Sequence, residues 1–158
     1  MTVLLYSEVR TFIADTSENN HLLDGLEFTD ARVRLAMEMS ADSYGSIPPI
    51  STIDLIDVLD GLDVIGIDAT TLRSKAIFLY GTLWHLFAGQ SALTARNQMS
   101  YSDGGLTIPI EERYQFYVQL AAQYEQNFKT ATKDLKIAMN LENGWAFVPS
   151  DYSTFPIW

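Results

Sequence analysis

The sequence contains no cysteine. It therefore excludes a disulfide framework, a thiolate metal site and a cysteine nucleophile. Basic residues are also scarce, with 10 Lys and Arg against 20 Asp and Glu and a formal net charge of −10. A general nucleic-acid-binding protein needs a basic stripe to neutralise phosphates, so the composition argues against that class.

The sequence also lacks a long uninterrupted hydrophobic run. Its most apolar stretch, residues 76–93, includes His85, Gln90 and two glycines, which predicts a buried helix and no membrane span. The first residues lack a basic start and a small-residue cleavage site, so no signal peptide is expected. We therefore predict no membrane partner.

Catalytic motifs of the zinc hydrolase, serine hydrolase and P-loop types are missing from the sequence. His21 and His85 are interpreted as a surface and a core histidine. A run of aspartates does not have the spacing of a calcium loop, and it is interpreted as the solvated side of an amphipathic segment. That run comprises Asp54, Asp57, Asp60, Asp63 and Asp68. We predict no enzymatic activity, no catalytic or metal-binding residue and no cofactor.

The 158 residues predict one mainly α domain, an elongated bundle of about four helices with one β-hairpin and an extended C-terminal tail. The helices are predicted over residues 3–14, from a Thr29 N-cap to Tyr44, over residues 72–97, and for about 30 residues after Pro109. The hairpin is predicted around Asp103, and residues 48–68 are left as a connection of open structure. The inward face of the second helix is predicted to be Val33, Ala36, Met37, Ser40, Ala41 and Tyr44.

The fourth helix has the clearest periodicity in the sequence, a seam in which apolar residues alternate spacings of three and four. The seam comprises Tyr114, Tyr117, Ala121, Tyr124, Phe128, Ala131, Leu135 and Ala138. Such a stripe is usually core, and in a long thin helix that core can be a contact with a neighbouring subunit. The predicted inter-subunit residues are Tyr114, Tyr117, Tyr124 and Phe128. Lys129, Lys133 and Lys136 are expected near the end of this helix, where cations stabilise the carbonyl terminus.

The segment after residue 144 has a different character, so we divide the chain into a helical domain, residues 1–144, and a tail, residues 145–158. The tail has no helical period and is dense in aromatic residues. They are Trp145, Phe147, Tyr152, Phe155 and Trp158. The tail could form a strap across its own bundle, but we favour docking on a partner, because aromatic anchors dominate interface energetics.

Residues 6–16 read YSEVRTFIADT and residues 22–49 read LLDGLEFTDARVRLAMEMSADSYGSIPP. Residues 95–105 read ARNQMSYSDGG and residues 134–146 read DLKIAMNLENGWA. These four stretches, in this order, resemble the head-tail connector, or adaptor, proteins of tailed bacteriophages. The resemblance is weakest over residues 51–68 and in the last dozen residues.

The resemblance implies a structural virion protein that assembles as a homo-oligomeric ring, usually dodecameric, beneath the portal protein in the phage neck. Such a ring extends the DNA channel for packaging and ejection, and it is the docking site for the next neck or tail protein. By analogy, the tail would clasp the portal or an adjacent subunit, and one loop would face the channel or the neighbouring ring. The residues of that loop are Asn97, Gln98, Tyr101, Asp103, Gly104 and Gly105.

Two other functions remain open from the sequence. The chain could be a soluble helical adaptor or regulator that binds one partner through its aromatic tail, as a monomer or dimer. It could also be a metal-dependent hydrolase that uses the carboxylates of residues 54–68. Under the connector interpretation, duplex DNA passes through the ring without sequence recognition, because an acidic wall repels it. The protein would then be made in the host cytoplasm and reside in the virion.

Overall fold

The computed structural model describes residues 3–15, 27–48, 55–59, 63–68, 74–96, 102–103, 106–107 and 111–146. The fold is mainly α, as predicted. Within these residues there are four helices: α1 (Tyr6–Phe12), α2 (Asp30–Ser46), α3 (Lys75–Arg96) and α4 (Glu111–Ala146). The strands are β1 (Val3–Leu5), β2 (Leu55–Leu59), β3 (Asp63–Asp68), β4 (Ser102–Asp103) and β5 (Leu106–Thr107).

The strands form two small antiparallel sheets. β1, β3 and β2 form a sheet in the order β1-β3-β2, with Val3 opposite Asp68 and Leu59 opposite Asp63. β4 and β5 pair as the predicted hairpin, with Asp103 opposite Leu106. The prediction that a helix starts at residue 3 was wrong, since residues 3–5 pair with β3 before α1 begins. Residues 48–68, whose structure the sequence did not predict, include the two strands β2 and β3, which are rich in β-branched residues.

α2 was predicted most accurately. All six residues of its predicted inward face are buried, because spacings of three and four keep them on one stripe. Thr29 is the N-cap residue, but its side chain makes no capping hydrogen bond. The carbonyl of Thr29 accepts from the amides of Arg32 and Val33 instead. The helix ends at Ser46, and Ile47 is extended, as expected for a residue that precedes proline.

α3 lies between α2 and α4 and is buried on most of its circumference. Its Phe78 ring packs against Tyr44 of α2, and its Phe87 ring stacks on Tyr124 of α4. Thr82, Leu83 and Leu86 are also buried. A nearly all-apolar helix is stable in a soluble fold when neighbours surround it, and the prediction that this stretch is a buried helix is confirmed.

An ionic cluster centred on the buried side chains of Arg10 and Asp15 joins α1 to the start of α2. The Arg10 guanidinium donates to the Asp15 carboxylate at 2.6 Å, to the Phe28 carbonyl at 2.7 Å and to the Asp30 carboxylate at 2.6 Å. The Asp15 carboxylate also accepts from the amides of Glu27 and Phe28. The Tyr6 hydroxyl, which donates to Asp30, and the Arg10 guanidinium lower the pKa of the Asp30 carboxyl.

α4 is 36 residues long, which exceeds the predicted length by about one and a half turns. It has no basic residue in its last turn, so the expectation that three lysines lie at its end was wrong. Lys136 is buried, and its ammonium group donates to the carbonyls of Tyr44 and Ile47. It therefore caps the carbonyl end of α2 and ties α4 to that helix.

Thr132 lies one turn before Lys136 and is fully buried, and its hydroxyl has no hydrogen-bond partner among the described residues. An unsatisfied buried hydroxyl costs about 1–3 kcal/mol. We expect Thr132→Val, which keeps the shape and β-branching, to raise the free energy of unfolding by about 1 kcal/mol in chemical denaturation.

Thr82→Val on α3 is the matched control for this prediction. Thr82 is also fully buried, but its hydroxyl donates to the Phe78 carbonyl at 2.7 Å. Its replacement should lower the free energy of unfolding by about 1 kcal/mol. Equal destabilisation by the two valine variants would contradict the assignment of Thr132 as unsatisfied.

Candidate interaction surface

The aromatic seam of α4 faces α3 of the same chain. Phe128 is 1% exposed and packs against the Trp84 ring with the centroids 5.9 Å apart. Tyr117 and Tyr124 both stack on Phe87, at 6.1 and 5.8 Å. Phe128 fills the core of the single chain, so its assignment to an inter-subunit contact was wrong. Tyr117 and Tyr124 pack on α3 but are only half-buried, and their assignment to such a contact stays a prediction. Tyr114 is half-buried, and its assignment to an inter-subunit contact stays a prediction.

The Tyr117 hydroxyl donates to the Glu27 carboxylate at 2.5 Å. Burial, together with this carboxylate, raises the pKa of Tyr117 to about 12. In the unfolded chain the tyrosine ionises near pH 10. The folded state thus retains a proton that the unfolded state loses, and stability must fall as the pH rises from about 10 towards 12.

We expect the free energy of unfolding of Tyr117→Phe, measured with denaturant between pH 10 and 12, to fall less with rising pH than that of the unchanged chain. In an absorbance titration of tyrosinate, the variant should lack one group that titrates near pH 12. Glu27→Gln is the companion variant. Glutamine keeps a hydrogen-bond acceptor but removes the charge, so the pKa of Tyr117 should fall. An unchanged alkaline titration in Tyr117→Phe would refute this account.

The two other predicted sites lie largely outside the described residues. In the tail, Trp145 belongs to the last turn of α4, so the extended segment does not begin at residue 145 as predicted. Phe147, Tyr152, Phe155 and Trp158 lie outside the described residues. In the predicted loop, Asp103 is in β4, whereas Asn97, Gln98, Tyr101, Gly104 and Gly105 lie outside. His21 also lies outside.

His85 lies at the contact between α2 and α3. Its Nε2 lies 3.0 Å from the Ser43 hydroxyl, and its ring stacks on Trp84. Burial lowers the pKa of His85, although a hydrogen bond to the Met39 backbone and the charge of Glu125 oppose this shift. The histidine therefore joins α2 to α3 as an uncharged side chain at neutral pH.

A shallow groove between α2 and α3 lies beside His85. Its volume is about 220 Å³. The α2 side is formed by Arg32, Leu35, Ala36 and Met39, and the α3 side by His85, Leu86, Ala88 and Gly89. Leu35 is 55% exposed and Met39 is 43% exposed. The exposure of Leu35 and Met39 could have been found in the sequence, because both residues are apolar and lie outside the predicted inward face of α2.

α4 also exposes apolar side chains on the face that points away from α3. Ile137 is 47% exposed and Leu141 is 57% exposed, and Phe116 lies on the same outward face. Within the described residues, exposed large apolar side chains therefore lie on both α2 and α4, as well as at Phe12 of α1. Exposed apolar residues of this kind mark interaction sites when they cluster.

The described residues show no other candidate site. None of the helices in this part of the chain is long and apolar enough to cross a membrane. The same part contains no group of three or more His, Cys, Asp or Glu residues that could hold a metal ion. Three members of the aspartate run lie in strands, Asp57 in β2 and Asp63 and Asp68 in β3. Asp54 and Asp60 lie outside the described residues.

Comparisons of the chain with protein-family models, with curated proteins and with solved structures find no match.

Proposed function

We propose that this chain is a structural virion protein, a head-tail connector subunit that assembles as a ring under the portal of a tailed bacteriophage. The proposal combines the sequence resemblance with one structural observation. α2 and α4 flank α3, and each presents exposed apolar residues on its outward side, Leu35 and Met39 on α2 and Ile137 and Leu141 on α4.

Two different apolar surfaces suit a head-to-tail assembly. In a ring, every subunit uses one surface towards the preceding copy and another towards the following copy, and the contact closes when the rotation is right. A two-fold dimer would instead use one self-complementary patch. The presence of separate patches on α2 and α4 therefore favours a ring over a dimer.

The aromatic tail would attach the ring to the portal protein or to an adjacent subunit. Each tail is one weak contact, but a ring presents many tails at once, and the resulting avidity does not need a tight single site. The ring would be a docking site for the next neck or tail protein. The net charge of −10 per chain gives the assembly an acidic field, which lets duplex DNA pass without adhering.

The experiment that tests this function measures assembly with the portal protein of the same phage. The chain and the portal ring are mixed and analysed by sedimentation velocity. We expect a complex that contains many copies of the chain per portal ring. One copy per partner molecule, with the chain otherwise monomeric or dimeric, would instead support the adaptor function and contradict the connector.

A truncation tests the role of the tail. The chain should end at Ala146, since α4 continues to that residue. We expect the truncated chain to keep the helical circular dichroism and thermal transition of the full chain but to lose portal binding. Phe155→Ala with Trp158→Ala should reproduce the loss, and Ser150→Ala with Ser153→Ala is the matched control. Normal attachment of the truncated chain would refute the docking role.

A further inference from the structure

The outward faces of α2 and α4 carry matching stripes. On α2 the residues Arg32, Leu35 and Met39 follow one another at spacings of three and four. On α4 the residues Asp134, Ile137 and Leu141 follow the same spacings. Each stripe is a charged residue followed by two apolar ones, and the charges are opposite. Side chains at these spacings form one continuous ridge along a helix.

The charged residue at the start of each stripe has no ion pair in the described part of the chain. Arg32 donates to the amide oxygen of Gln90 at 2.8 Å and lies over the Phe28 ring. It is thus held at one end of the α2–α3 groove. Asp134 is exposed on α4. Both groups are therefore available for a pairing across an interface.

The two stripes of one chain do not meet each other. α2 and α4 turn their inward faces towards α3, so that Gly81 of α3 lies close to both Ser40 and Phe128. Lys136 of α4 contacts the carbonyl end of α2 at Tyr44. Leu141 lies five residues after Lys136, or about 7.5 Å further towards the C-terminus of α4. Met39 lies five residues before Tyr44, or about 7.5 Å towards the N-terminus of α2, so the two residues are far apart along the bundle. Among the described residues, neither stripe is therefore covered by the other.

We propose that the α4 stripe of one copy docks against the α2 stripe of the next copy, with the two helices running in the same direction and tilted to the ring axis, so that a pure rotation supplies the offset between the stripes. In this register Arg32 pairs with Asp134, Leu35 packs against Ile137, and Met39 packs against Leu141. An antiparallel alignment would place both charges against apolar residues. Spacings of three and four on both helices allow the side chains to interdigitate at a shallow crossing angle. This inference rests on the proposed ring and names its repeating contact.

The interface also explains the shape of the groove. Gly89 lies on its α3 side and is exposed, so the backbone of α3 is open to a close approach there. Apolar side chains from Ile137 and Leu141 of the neighbour would cover Leu35 and Met39 and remove their surface from water. Since every copy keeps one free α2 stripe and one free α4 stripe, the contact propagates from copy to copy.

The absence of cysteine from the chain permits a direct test by disulfide cross-linking. The variant Met39→Cys with Leu141→Cys is oxidised with copper phenanthroline at a concentration at which the chain self-associates, or bound to the portal. We expect a ladder of covalent dimers, trimers and higher species. A disulfide needs Cβ atoms about 4 Å apart, so it reports the register.

The matched control is Leu35→Cys with Leu141→Cys, which shifts one cysteine by a full turn, about 6 Å along α2. We expect at least a tenfold lower yield than with Met39→Cys. Equal yields, or homodimers from Leu141→Cys alone, would overturn the parallel head-to-tail contact. All the replaced side chains are exposed, and unchanged circular dichroism would show that each variant folds.

A charge reversal provides a second, independent readout. Arg32→Glu and Asp134→Arg should each weaken self-association about tenfold in sedimentation equilibrium, and the double reversal should recover most of the affinity. Failure of the double reversal to recover would overturn the pairing. If rings form on the portal without the Met39–Leu141 disulfide, the interface is wrong and the proposed function stands. If neither ring nor ladder forms, both are wrong.

Discussion

Arg10→Ala is expected to lower the free energy of unfolding by about 3–5 kcal/mol, because it removes one partner of a buried ion pair. The side chains of Arg10 and Asp15 are 9% and 2% exposed. Without the guanidinium, the Asp15 carboxylate loses its cation, and the Phe28 carbonyl loses a charged donor. The link between α1 and the start of α2 would be broken, so equilibrium denaturation should show the loss directly.

Arg34→Ala is the matched control for Arg10. Arg34 pairs with Glu38 one turn along α2, and the two side chains are 57% and 38% exposed. Solvent screens such a pair, and its removal should cost about 0.5 kcal/mol or less. Arg10→Lys should fall between the two, because an ammonium group cannot reproduce the forked contacts of a guanidinium. If Arg10→Ala proves as mild as Arg34→Ala, the cluster does not stabilise the fold.

Gly81→Ala is expected to lower the free energy of unfolding by about 1–3 kcal/mol or more, because the added methyl group overpacks the core. A Cβ atom on Gly81 would lie 2.9 Å from Cε2 of Phe128, and it would come closer still to the Ser40 hydroxyl. Both neighbours are fully buried and belong to α4 and α2. Neither can move far, so the two flanking helices would be pushed away from α3.

Gly89→Ala, two turns along the same helix, should have the opposite effect. The nearest heavy atom to a Cβ there is Nη2 of Arg32 at 3.7 Å, which is an ordinary contact. Alanine is more favourable than glycine in a helix by about 1 kcal/mol, and this gain should be realised at Gly89. Thermal melts of the two variants compare them directly. Similar stabilities would contradict the close approach of the three helices at Gly81.

Local periodicity was enough to predict α2, because its buried residues keep a stripe of threes and fours among polar neighbours. It was not enough for residues 3–5. Val3, Leu4 and Leu5 continue an apolar helical pattern, but pairing with β3 more than 60 residues away makes them a strand. The two strands after residue 54 had a local signal that the prediction did not use, an Asp-Gly pair between two short β-branched runs.

For the candidate surfaces, too, local patterns predicted the packing stripes but not the contacts between residues distant in the sequence. The seam of α4 was correctly identified as a packing stripe, but periodicity does not say whether the facing helix belongs to the same chain. The contact of Phe128 with α3 decides this for Phe128. The position of Lys136 was misjudged because its partners, Tyr44 and Ile47, are about 90 residues away in the sequence. A contact at that separation leaves no trace in local patterns.

Copies of this chain are proposed to associate through two different surfaces into a closed ring. Electron microscopy of the chain mixed with the proposed partner, a phage portal ring, tests this association most directly. The account predicts class averages of a closed ring in which every subunit makes the same contact, with α4 of one copy beside α2 of the next. A single copy on the portal, or a two-fold dimer joined through one shared face, would contradict it.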